Sequence, residues 1–247
     1  MSLENRIILV TGAGSGLGRA VSIACARAGA EVFLLGSRTK PLKQTDDLIR
    51  SAGYKAGIVP LNLESELHRI PEVTKALFER FGRLDVLINA AAQVGPRTPM
   101  ELHCPADWET VMRVNVTAPF FLTREMLPLL KKSPSGVVIQ VICREAMEPT
   151  PFRGSYAASK AALWQMTRCW CAETPNSPVR MHAVDPGPMA TALRTKVFPG
   201  EDPSTLPTPE SVTAIFLELA NADCRAAHGG MFTPAKERNE TVTLQNR

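Results

Sequence analysis

No apolar run among the 247 residues reaches the roughly 20 positions a membrane helix needs. A block of like charge is missing too. The 28 Lys and Arg and 24 Asp and Glu give a net charge of +4 but lie scattered, and aromatics are only 6% of residues. Nothing therefore resembles a basic, aromatic-studded nucleic-acid surface. The six cysteines (25, 104, 143, 169, 171, 224) show no C-x-x-C and no paired spacing, which disfavours a disulfide framework and a zinc site. Met1–Arg6 is polar and carries Glu4 before the first apolar run, unlike the basic-then-apolar order of a signal peptide. These absences predict a cytoplasmic protein with no metal, no membrane partner and no nucleic-acid partner.

What is present is a regular alternation. Apolar strand-like runs at 7–10, 31–35, 56–61, 84–89, 136–142 and 179–183 are separated by longer helical patterns. That order predicts an α/β fold: one doubly wound domain over 1–247, with a parallel sheet of about seven strands and helices on both faces. Gly29, Gly53 and Gly82 each follow a helical stretch, where a left-handed cap favours glycine. The segment 186–209 is rich in Pro and reads either as a flap over a site or as a surface connection. A polar tail over 237–247 is expected to be flexible.

Two patterns carry chemistry. After the first strand comes Thr11-Gly-Ala-Gly-Ser-Gly-Leu-Gly18, then a stretch rich in small helix formers. Strand, glycine turn and helix together can seat a pyrophosphate against backbone N–H groups and the positive end of a helix dipole. The strict G-x-G-x-x-G spacing is not met, and no Gly-Lys-Ser/Thr follows, so a Walker-type loop is excluded. Far along the chain, Tyr156-Ala-Ala-Ser-Lys160 sets a phenol and an ammonium four residues apart on one face of a predicted helix. A fixed cation favours phenolate, so the pair reads as a general acid/base.

Together these motifs resemble the short-chain dehydrogenase/reductase family, whose pattern is T-G-x-x-x-G-x-G followed by Y-x-x-x-K. Thr11, Gly12, Gly16, Gly18, Tyr156 and Lys160 match it. Leu84–Asn89 is similar to the family's fourth strand, Asn115 to its helix asparagine, and Asp185–Thr191 to its Pro-Gly nicotinamide loop. The resemblance spans nearly the whole chain. It implies hydride transfer between a nicotinamide and a carbonyl or alcohol, with Tyr156 as acid/base. It further implies that Lys160 lowers the tyrosine pKa and binds the nicotinamide ribose, and that Asn115 holds a relay water. The dinucleotide would be held by Gly12, Ser15, Gly16, Leu17 and Gly18 at the turn, and by Asn62, Leu63 and Asn89 beside the sheet. Tyr156, Lys160, Pro186, Gly187, Met189 and Thr191 would hold the nicotinamide end. A homodimer or homotetramer is likewise implied.

The cofactor's identity turns on the end of the second strand. Gly36-Ser-Arg-Thr-Lys40 carries no acid to bond a ribose 2′-hydroxyl, whereas Arg38 offers a bidentate donor, with Ser37 beside it, for a 2′-phosphate. NADP(H) is preferred, with NAD(H) as the alternative; Arg38 and Lys40 also read as solvated loop residues. Asn62 replaces the family's adenine-facing Asp, and Ala92 replaces a glycine after the fourth strand.

One catalytic position departs from the pattern. Thirteen residues before Tyr156 the family carries a serine that donates to the substrate oxygen, and here Cys143 stands. A thiol is a weaker donor, and losing one oxyanion donor outright costs about 2.7–4 kcal/mol. Cys143 reads as a weak donor or as a small buried hydrophobe, and no motif makes it a nucleophile. Ser155 and Thr150 are nearby hydroxyls, but Ser155 should point to another helix face. Arg144 could clamp a substrate anion, or pair with Glu145 or solvent. Trp164, Trp170 and Phe120–Phe121 read as core or subunit contact. Beside the enzyme reading stands a second: a nucleotide-binding family member weakened by Cys143, with a regulatory or binding role.

Overall fold

Every residue of β1 (Ile7–Thr11) is buried, and its side chains alternate between two cores, Ile8 and Val10 entering one, Ile7 and Leu9 the other. β2 (Glu31–Gly36) divides likewise, Val32 and Leu34 against Phe33 and Leu35. Such strands read as unbroken apolar runs because helices cover both faces of the sheet. One face is packed by α1 (Gly16–Arg27), α2 (Thr39–Ser51) and α8 (Ala214–Ala220). The other is packed by α3 (Ile70–Phe81), α5 (Ala118–Leu130) and α6 (Gly154–Glu173). This computed structural model describes residues 1–234, so the tail expected to be flexible, 237–247, lies outside the described residues.

Between them run β3 (Ala56–Pro60), β4 (Val86–Asn89), β5 (Val137–Val141), β6 (Arg180–Val184) and β7 (Met231–Phe232). The sheet is parallel throughout, in the order β3-β2-β1-β4-β5-β6-β7. The chain winds outward from β1 to β3, then crosses to β4 on the other side of β1. Connections leave in opposite directions at that reversal and open a crevice at the carboxyl ends of β1 and β4. Val10 pairs with both Leu34 and Ile88, which sets those ends level.

The six expected strands form within two residues of their predicted limits. β4 begins at Val86 rather than Leu84; the buried Asp85 carboxylate just before it accepts from the Ile7 N–H at 2.8 Å and from Ser133. β7, two residues long, had no periodicity to announce it. Gly29, Gly53 and Gly82 hold φ of 99°, 86° and 70°, the left-handed region expected of them. Between α4 (Pro105–Met112) and α5 the helix widens into a π turn, Arg113–Thr117. Among the described residues no helix is long and apolar enough to cross a membrane.

Candidate active site

The glycine turn lies across the crevice. Gly12 has φ 69°, and a Cβ there would stand 2.9 Å from Cα of Ala91; one on Gly18 would strike the Gly12 carbonyl. Only hydrogen fits, so the turn closes tightly against the loop after β4. Thr11 fastens the same loop, its Oγ1 accepting from the N–H groups of Ala90 and Ala91, both at 3.0 Å. Ser15 starts α1 without a side-chain cap bond, which leaves the helix's first N–H groups free for an anion, while Leu17 packs on the core. Gly12, Gly14, Ser15, Gly36, Ser37, Arg38, Pro41 and Leu42 line an adjoining pocket with no carboxylate in it. Close backbone, an uncapped helix start and an arginine-edged pocket fit a phosphorylated dinucleotide.

Other residues of the expected cofactor surface have local tasks. Asn62 Oδ1 accepts from the Glu64 N–H at 3.0 Å, and Leu63 is buried. Asn89 donates to Thr123 at 3.5 Å, while its buried Oδ1 has no hydrogen-bond partner. In the segment 186–209, Gly187 takes φ 72° and its N–H donates to Asp185 Oδ1 at 2.9 Å. Pro186 precedes it, and Met189 is buried. Thr191 caps α7 (Ala192–Val197), accepting from the Arg194 N–H at 3.2 Å, and its methyl lies over Gly16.

Tyr156, Lys160, Asn115 and Cys143 gather around the ends of β4 and β5. Lys160 is buried, and its Nζ donates to the Val141 carbonyl at 2.7 Å and lies 5.7 Å from the Tyr156 ring centre. Burial lowers its pKa, against the pull of Cys143, Glu145 and Asp185. The Asn115 side chain, placed by the π turn, accepts from the Gln93 N–H at 2.8 Å. It donates to the Gln93 carbonyl at 2.7 Å and to Ser159 Oγ at 2.9 Å. Such turns recur at functional sites. The Cys143 side chain packs in a small cluster with Val94, Tyr156 and Val197. Its pKa is pushed up to about 12, chiefly by burial, so near neutral pH it is a thiol, able to donate and unsuited to attack.

The phenol departs from expectation. Burial raises the Tyr156 pKa well above its ordinary value, Cys143 and Glu145 add to the rise, and Arg153 opposes it. The Arg153 guanidinium carbon sits 4.4 Å from the Tyr156 ring centre, closer than Lys160 Nζ at 5.7 Å. Arg144 pairs with Glu148 at 2.6 and 3.0 Å instead of with Glu145, since a four-residue spacing aligns them at the surface. Glu145 turns inward to Arg153, 3.7 Å away. Sequence reasoning weighed Glu145 only as a partner of Arg144 and passed over Arg153. The available signal was the placement of Arg153 three residues before Tyr156, at the N-cap of α6. Ser155 points elsewhere as expected, its buried hydroxyl facing Gly95 without a partner. Phe120 stacks on Trp170 at 5.7 Å while remaining partly exposed.

Three loops enclose the cleft: the one after β4, the one between β5 and α6, and the segment bearing α7. Each contributes a guanidinium to Phe198, with Arg194 at 3.9 Å, Arg97 at 4.9 Å and Arg153 at 6.0 Å from the ring centre. Met100, Leu102, Met147 and Phe152 are exposed on the first two loops, and Phe152 holds φ 64°, strained for a bulky residue.

Residues 6–202 match the family model of the short chain dehydrogenases. The chain belongs to the short-chain dehydrogenase/reductase family. This member is 35% identical over 243 residues to the oxidoreductase YciK of Escherichia coli, covering 98% of this chain and 96% of that one. It superposes with a TM-score of 0.90 on a Shigella flexneri short chain dehydrogenase complexed with NADP, at 34% identity over 94% of this chain and 98% of the other. An Escherichia coli short chain dehydrogenase complexed with NADPH gives 0.91 at 34% identity, over 95% and 98%. The seven-stranded sheet is the family's fold, and the short-chain dehydrogenase/reductase described here is an oxidoreductase.

Proposed function

We propose that this enzyme uses NADP(H) to interconvert a carbonyl and an alcohol, with Tyr156 as the acid/base. The observation that carries the proposal is the convergence of Tyr156, Lys160, Asn115 and Cys143 beside a turn whose glycines admit only backbone. NADPH, when bound, supplies the hydride. Tyr156 passes its phenolic proton to the substrate oxygen in reduction and takes it back in oxidation. Lys160, anchored on Val141, would hold the nicotinamide ribose, and Asn115, fixed by Gln93 and Ser159, would hold a water in the proton relay. Cys143 offers its thiol hydrogen to the developing alkoxide, a weaker version of the usual hydroxyl contact. Arg38 and Ser37 receive the 2′-phosphate; the pocket without a carboxylate and the two NADP-type complexes of relatives support that choice over NAD(H). Six free thiols fit a reducing cytoplasm, and the partly exposed Phe120 on α5 fits a homo-oligomeric contact.

The test is NADPH oxidation across a panel of aldehydes and ketones. Tyr156→Phe should lower turnover by roughly 10²–10⁴-fold and leave NADPH affinity nearly unchanged. Equal turnover in the variant would remove Tyr156 from the mechanism.

A further inference from the structure

Arg153 is buried, with 5% of its surface exposed, and its Nε has no hydrogen-bond partner. Its nearest carboxylate, Glu145, stands 3.7 Å away, beyond hydrogen-bond range. A guanidinium taken out of water with so little in return destabilises the fold. What it does touch is aromatic: the face of Tyr156 at 4.4 Å and, more remotely, Phe198. The charge therefore sits over the ring whose oxygen exchanges a proton. A ring giving up that proton becomes richer in electrons, and a cation on its face is held more strongly by the phenolate than by the phenol.

We propose that Arg153 is a positioning residue for Tyr156: seated between Glu145 and the ring, it fixes the ring's orientation and favours the negative charge that develops on the phenol oxygen. This rests on the reading of Tyr156 as acid/base. The charged and titratable groups around the phenol come from every neighbouring element. Cys143 and Glu145 lie in the β5–α6 loop, Arg153 at the start of α6 and Lys160 one turn beyond the tyrosine. Asp185 after β6 faces Lys160, and Arg194 of α7 faces Glu145. Of these, the Glu145 carboxylate opposes the phenolate and the Arg153 guanidinium on the ring face favours it. Loss of Arg153 would leave the Glu145 carboxylate without its neighbouring guanidinium.

The chain has two tyrosines, so Tyr54→Phe leaves Tyr156 as a single probe. Ring-difluorinated tyrosine, more acidic than tyrosine, brings its titration to a pH at which the fold is intact, and fluorine NMR follows it without substrate or turnover. Arg153→Met should raise the titration midpoint by about one pH unit or more, and Arg153→Lys, which keeps a charge nearby, by less than half of that. Arg153→Gln replaces the methionine variant should that one not fold. An unchanged midpoint in the neutral variant overturns the proposal. So does an equal shift in the neutral and lysine variants, since loss of packing alone would produce that. Because the midpoint needs no catalysis, a failure here is distinct from a failure of Tyr156→Phe to abolish activity. In the active enzyme, the acid limb of alcohol oxidation should move upward with the NMR midpoint.

Discussion

The two sides of the crevice are built from different materials. On the β1–β2 side the surface is main chain: a turn that admits no side chain at Gly12 or Gly18, an uncapped helix start, and a loop pinned by Thr11. On the β5–β6 side it is side chain: a thiol, a phenol, buried cations and loops joined through Phe198. Backbone devices are unforgiving, because a single added carbon collides with atoms that cannot move. Side-chain devices are adjustable, because a neighbour can compensate. The first side suits a ligand common to many relatives, and the second suits one particular to this chain.

The largest test of that contrast is Gly12→Ala. The left-handed backbone alone makes it unfavourable by about 1–3 kcal/mol, and the contact with Ala91 adds to this. NADPH affinity measured by fluorescence titration should fall at least about tenfold. Retained affinity would mean the turn yields more readily than its packing implies. Cys143→Ser acts in the opposite sense on the other side. A stronger donor at the alkoxide should raise kcat by roughly tenfold, part of the 10²–10³ that an outright donor loss costs. A fall in kcat would show the thiol to be fitted to its own substrate.

Arg38→Ala sharpens the contrast at the outer edge of the pocket beside the glycine turn, where the proposed 2′-phosphate contact is a side chain and not main chain. NADPH affinity should drop about tenfold with NADH affinity unchanged, the worth of one charge-assisted contact at an exposed position. Parallel loss of both would assign Arg38 to the fold. The smallest effect is kinetic. With its pKa near 12, Cys143 should be alkylated by iodoacetamide at pH 8 more slowly than the exposed Cys104 and Cys169, read by mass spectrometry. Prior labelling of Cys143 would reveal an activating base nearby.

The same contrast governs what could be read in advance. Six strands and the glycine turn were legible because each is contiguous: a run of apolar residues with both faces covered, or a few glycines between strand and helix. Tyr156 and Lys160 were legible because four residues bring them to one face. Arg153, at the N-cap three residues before Tyr156, was missed, since that position carries meaning only once Glu145 is known to turn inward. The partners of Asn115 were out of reach for another reason: Gln93 and Ser159 lie 22 and 44 residues away. Only the sheet brings them together. The thiol at position 143 was read as donor or hydrophobe, and it is packed as a hydrophobe whose hydrogen stays in place.

Phe198 has a further bearing on how the cleft works. Its ring is approached by guanidinium groups from three stretches of chain far apart in sequence, and so ties the three together at one point. Through Arg153 the same cluster reaches the Tyr156 ring, so the packing at the cleft's edge and the orientation of that ring share one side chain.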